Sequence, residues 1–141
     1  QADAERSMAL IRNCDELIRP ALHSNENLLF RCGAGSTSFT VGYNGLLRLC
    51  SSLCHPDCVY DLRKGDLSEA WHSFIPRIRT LRSDAPGFLE KCHTCGIINL
   101  CLWCPAHAYL EDGTMDSWCR YFCEVAHARA DAIQTTLQKS R

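Results

Sequence analysis

The sequence predicts a small α+β domain, rich in cysteine, with a β-hairpin, several helices and loops gathered around metal-bound thiols. Three observations predict it. An Asn44-Gly45 pair separates two alternating apolar arms, apolar residues recur at helical spacing in several other segments, and eleven of 141 residues are cysteine. A chain of this length suits one domain, or one domain with a helical extension.

The elements follow in chain order. Residues 3–22, DAERSMALIRNCDELIRPAL, read as an amphipathic helix with Leu10, Cys14, Leu17 and Ala21 on one stripe. Pro20 ends or kinks it, because the residue before a proline is pushed out of the α region. LLFRC (28–32) and SFTVGYNGLLRLC (38–50) carry the β signal. A two-residue Asn44-Gly45 turn of type I′ pairs Tyr43 with Leu46 and so sets Cys50 opposite Phe39. The loop GAGSTS then returns Cys32 towards Cys50.

Asp66, at capping-box spacing from Glu69, opens a helix over about 67–81 with Trp71, Phe74, Ile78 and Leu81 on one face. Pro76 falls inside it and predicts a kink or a detached first turn. SDAPG (83–87) breaks the helix. PAHAYLEDG reads as a short helix, with Pro105 in its first turn and Gly113 just past its end. A last helix is expected from about Tyr121 to Gln138, with Phe122, Ala126, Ala130, Ile133 and Leu137 inward.

Composition narrows the function. A net charge of −1 gives no basic footprint for nucleic acid. No apolar run reaches the length of a membrane span, and the first residues lack the apolar core of a signal peptide. The expectation is therefore a cytoplasmic chain whose cysteines bind metal rather than form disulfides. An odd count of eleven would leave one thiol over, and closing a C-x2-C loop removes little chain entropy.

KCHTCGIINLCLWCPA sets Cys92, Cys95, Cys101 and Cys104 within thirteen positions. A single zinc ion bound by all four is cramped, since zinc knuckles usually stand a dozen or more residues apart. The run compares better with the ferredoxin pattern C-x2-C-x2-C-x3-C-P, whose fourth cysteine ligates a different cluster from the first three. On that comparison Cys92, Cys95 and Cys101 share one cluster and Cys104 reaches another.

The order Cys32, twelve residues, Gly45, four residues, Cys50, a long gap, C-x2-C-x5-C, a nearby cysteine and a final cysteine resembles the SPASM domain. That family is the C-terminal auxiliary-cluster module of radical S-adenosylmethionine enzymes that modify peptides and proteins. The resemblance covers residues 28–128; residues 1–27 are similar to the helical segment linking the family's catalytic barrel to this module, and 129–141 end the last helix. It implies two [4Fe–4S] clusters. Cys32, Cys50 and Cys104 hold the first, with Cys58 or Cys54 as a further ligand or an open iron in its place. Cys92, Cys95, Cys101 and Cys123 hold the second, with Cys119 in reserve. Cys123 is preferred as the thiol opening the last helix, where the positive helix end favours a thiolate. The family spaces its last pair C-x3-C, whereas Cys101 and Cys104 are C-x2-C.

The resemblance further implies partners: an N-terminal radical S-adenosylmethionine barrel, which alone would hold S-adenosylmethionine, and a peptide or protein substrate, with no nucleic acid and no membrane. The domain by itself is then not catalytic; its clusters relay electrons, help bind the peptide or hold the fold. A zinc-stabilised binding module and a free-standing iron–sulfur electron carrier are the alternatives. The remaining candidates have plainer readings. Cys14 is a small buried hydrophobe, and His93 and His107 stand beside ligands rather than among them. Trp103 shields a cluster or fills the core. Arg77, Arg79 and Arg82 form a solvated helix face. Gly33 and Gly35 let the backbone pass close to a cluster.

Overall fold

In the computed structural model, residues 27–101 and 103–139 are described. The expected helix over 3–22, the linker over residues 1–27 but for Asn27, and Cys14 lie outside them. The fold is mixed α+β, with a three-stranded antiparallel sheet ordered β1 (Thr40–Val41), β2 (Leu46–Arg48), β3 (Val59–Asp61). Helical segments follow: α1 (Leu67–Glu69), a π-helical turn (Ala70–Phe74) and α2 (Ile75–Arg79), then a second π-helical turn (Phe88–His93) and a 3-10 turn (Ile98–Leu100). Helices α3 (Pro105–Asp112) and α4 (Arg120–Lys139) complete it. Among the described residues no helix is long and apolar enough to cross a membrane.

The hairpin forms, but one residue out of the expected register. Val41 faces Leu47 and Thr40 faces Arg48, so Leu49 rather than Cys50 stands at the level of Phe39. The loop has three residues, Tyr43 to Gly45, because only Gly45 takes a positive φ, +74°, where a type I′ turn demands one at Asn44 as well. Asn44 instead turns its side-chain oxygen to the amide of Leu46, 3.3 Å away. β3 was not anticipated. Val59 and Tyr60 supply its β-branched and aromatic pair, and it aligns Tyr60 with Leu47. LLFRC makes no strand of the sheet; Leu28 bridges Arg82, and Leu29 and Phe30 are buried.

Asp66 caps α1 as expected, its carboxylate accepting from the amide of Glu69 at 2.9 Å. The helix then widens. The amide of Ile75 reaches back five residues to the carbonyl of Ala70, a π turn immediately before Pro76, which supplies no amide and crowds the turn before it. The extra residue shifts the apolar face, so Ala70 and Ile75 join Ile78 in the core while Trp71 stays 36% exposed against Phe39. Of the expected face, Ile78 is buried and Phe74 and Leu81 pack against the core, and only Trp71 is corrected.

The main core joins Leu47, Leu49 and Leu53 from the sheet region with Ile75 and Ile78, and extends through Phe88 and Cys92 to Ala106. A smaller core packs α4 through Ala126 and Ala130 on Leu100. Helix α3 matches its expectation, with Pro105 first and Gly113 ending it at φ +77°.

Candidate metal centre

Ten cysteines fall within the described residues, and all ten are free thiols. They gather in two groups. Cys92 lies in the last part of its π-helical turn, and successive tight turns carry the chain onward: the amide of Cys95 bonds the carbonyl of Cys92, Ile98 that of Cys95, and Cys101 that of Ile98. Each turn brings the next thiol back to one side. Helix α4 closes that side, since Cys119, Cys123 and Ala126 recur at helical spacing. Cys92, Cys95, Cys101, Cys119 and Cys123 thus line one cavity, walled by Trp103 and Trp118.

Electrostatics ranks these thiols. Burial, then repulsion from Cys101, Cys95, Cys123 and Cys119 in that order, pushes the Cys92 thiol up to about 12. Cys101 is raised by burial as well, with Cys95 and Cys123 adding repulsion and Arg129 opposing it. Cys119 turns elsewhere. Its sulfur lies 3.6 Å from the Asp112 carboxylate and 3.8 Å from the Ser117 hydroxyl. Helix α4 begins at Arg120, so Cys119 precedes its first residue and Cys123 sits a turn inside. The helix-opening thiol is therefore Cys119, a correction to the expectation, although Cys123 repels the Cys92 and Cys101 thiols more strongly than Cys119 does.

The other group gathers at the start of the CPAHAYL segment. Cys104 precedes α3, and its sulfur accepts from the amide of His107 at 3.5 Å. Burial raises its thiol most, while amides of His107 and Ala106 oppose the rise and the Cys50 and Cys32 thiols add to it. Cys32 and Cys104 also line a cavity of about 230 Å³ with Phe88, His93 and Trp103. The off-register hairpin therefore still delivers Cys50 to the neighbourhood of Cys32 and Cys104. Neither proposed fourth thiol turns to this group. Cys58 is fully buried, 3.6 Å from the sulfur of Met115, and its thiol is pushed up to about 11 by burial, with Asp57 next. Cys54 is exposed, 3.5 Å from the Arg48 guanidinium.

Three positively charged side chains shape the surroundings. Arg79 is no solvated residue: it donates to the carbonyl of Cys32 at 2.9 Å and to that of Ala34. Arg129 donates to the carbonyl of Leu100 at 2.9 Å, next to Cys101. The Lys91 ammonium lies 3.7 Å over the ring of Trp118. Sequence reasoning missed Arg79 and Arg129, since no local pattern marks an arginine that reaches a distant carbonyl.

Trp103 borders both cavities, packs tilted against Phe88 with ring centroids 5.0 Å apart and donates its indole N–H to the carbonyl of Ser117 at 2.8 Å. It packs against the main core, as its reading as a core aromatic expects. Gly35, at φ +70°, passes close to Leu49 and Ile75 rather than to a thiol group. His107 stacks on Phe122 at 5.3 Å.

All-sulfur donor sets suit iron–sulfur clusters and zinc alike. Among the described residues no three Cys, His, Asp or Glu side chains converge as ligands of one ion, so the sulfurs stand around a volume rather than a point. The clear space among the five thiols is about 20 Å³, against about 230 Å³ beside Cys32 and Cys104. By donor chemistry both groups fit a cluster. Comparison of the chain with protein-family models, with curated proteins and with solved structures returned no match.

Proposed function

We propose that this chain is an auxiliary-cluster module of the SPASM type, binding two [4Fe–4S] clusters and serving a radical S-adenosylmethionine barrel that modifies a peptide or protein. The observation that carries the reading is the division of the thiols. Cys92, Cys95, Cys101 and Cys123 surround one cavity, while Cys32, Cys50 and Cys104 influence one another at a second. The run from Cys92 to Cys104 contributes to both, as the fourth cysteine of a ferredoxin run does.

Bound clusters supply one-electron transfer. The residues around them hold and insulate. Trp103 gives both thiol groups an apolar wall, with Phe88 beside the first and Trp118 beside the second, which raises the sensitivity of a cluster to nearby charge. Arg129 offsets the negative charge of the second thiol set, and Lys91 is held over Trp118 at its edge. Arg79 fixes the backbone that carries Cys32. Chemistry on the peptide and on S-adenosylmethionine belongs to the barrel, and thiols kept reduced suit a cytoplasm.

The alternative is a zinc-stabilised module, since all-sulfur donor sets suit zinc as well. Metal analysis decides. Protein prepared without oxygen should carry about eight iron and eight acid-labile sulfide per chain, and be brown. Zinc in stoichiometric amount with no iron refutes the cluster reading. Cys123→Ser should remove one cluster and leave the other; Cys119→Ser should leave both. The reverse result exchanges the two residues' roles.

A further inference from the structure

We propose that the open groove between α2 and the loop over residues 33–38 docks an extended acidic segment of a partner polypeptide, with an apolar side chain against Trp71 and a carboxylate on Arg79. The inference deepens the proposed function and rests on it only for naming that partner as the peptide or protein substrate. The docking itself uses no metal.

Trp71, Ile75 and Arg79 recur at four-residue spacing along the helical run from the first π-helical turn into α2. The loop packs against the middle of that run, where Gly35, at φ +70°, passes so close that an added Cβ would lie 3.0 Å from Ile75. Between them lies a groove of about 350 Å³, lined by Gly35, Ser36, Trp71, Ile75, Pro76 and Arg79. Its two ends differ. At one, Trp71 meets Phe39 with ring centroids 5.7 Å apart, and both rings are partly exposed. At the other, Arg79 uses a single nitrogen, Nη1, for both of the backbone carbonyls it holds. Its Nε and Nη2 make no hydrogen bond among the described residues, and no described residue lining the groove is acidic. A half-buried cation with two donors free and no counter-charge suits an anion, and the planar fork fits a carboxylate.

The dimensions favour an extended polypeptide. Eight residues of helix separate Trp71 from Arg79, about 12 Å at roughly 1.5 Å each. An extended chain covers that span in about four residues, a spacing that also puts both side chains on one face. Phe39 leads into β1, whose outer edge has no partner strand among the described residues, and such edges take up extended segments. A nucleic acid calls for a stripe of cations, whereas the described lining of the groove holds one.

The test titrates the whole chain, labelled with 15N, with a blocked peptide carrying phenylalanine and aspartate four residues apart in a serine background. The Trp71 indole signal should shift and saturate. Asparagine in place of the aspartate should weaken binding about tenfold. Trp71→Ala and Thr80→Glu should each weaken it at least as much. Both positions are exposed, and Thr80 lines the groove next to Arg79, so its replacement sets a competing carboxylate there without disturbing the core. Equal binding of the aspartate and asparagine peptides overturns the proposal, as do shifts that avoid the groove, no saturable shift at all, or tighter binding of a single-stranded oligonucleotide. Each of those results leaves the cluster reading standing. Peptide binding by a chain that holds zinc and no iron upholds the docking and refutes the cluster reading.

Discussion

Replacing Arg79 by methionine should weaken the fold and, more sharply, the first cysteine group. The guanidinium spans two backbone carbonyls, those of Cys32 and Ala34, from a half-buried position on α2. Hydrogen bonds to a charged donor are worth about 1.5–3 kcal/mol each when intact. Water reaches part of this site, and the two bonds share one cation, so the pair together is worth about 2 kcal/mol. Unfolding entropy near 2.1 cal/mol/K per residue over 141 residues converts that loss into a fall in Tm of about 7 °C. Urea unfolding followed by tryptophan fluorescence measures the loss directly, and iron analysis reports the consequence for the proposed clusters. Arg79→Lys keeps the charge but not the planar fork, and should recover about half of the stability. A methionine variant within about 0.5 kcal/mol of the parent, with its iron retained, refutes the reasoning. Arg79 would then be an ordinary surface side chain.

Other outcomes follow from the same structure. Ile78 is fully buried in the main core, and Ile78→Ala should cost about 3 kcal/mol in chemical denaturation. Gly45→Ala forces a side chain into φ +74° at the hairpin loop and should cost about 1–2 kcal/mol, read as a lower Tm. For Cys58 the folded thiol is raised from 9.0 to about 11. The folded state therefore holds its proton more tightly, and this contribution is complete below pH 9.0 and lost as pH rises through about 11. Stability should fall across that window, and Cys58→Ala should flatten the fall; an unchanged slope shows the thiol has no such part.

Much of the layout was legible because it rests on local chemistry. Asp66 and Glu69 sit at cap spacing, and Pro105 and Gly113 bracket α3, so those boundaries follow from a few residues each. The tight C-x2-C-x5-C spacing likewise dictates that its thiols return to one side. What escaped was non-local or cooperative. The hairpin register turned on whether Asn44 would accept a positive φ, and its side chain instead found the Leu46 amide. The π turn before Pro76 depends on a compromise between the missing amide and core packing, which no period of 3.6 foresees. β3 is three residues long, below the length at which alternation can be read. Arg79 and Arg129 act across 47 and 29 residues of sequence.

The π-helical turn from Phe88 to His93 has a further consequence. Each residue of an ordinary α-helix advances the side-chain direction by about 100°, whereas a π turn absorbs one residue without lengthening the helix by a full step. Deleting a single residue there would restore an α-helix of nearly the same length. The later thiols would keep their phase, because the π turn is the step that takes up the extra residue. A one-residue deletion in the first part of this turn should therefore be tolerated better than one between Cys92 and Cys104, where successive tight turns space the thiols.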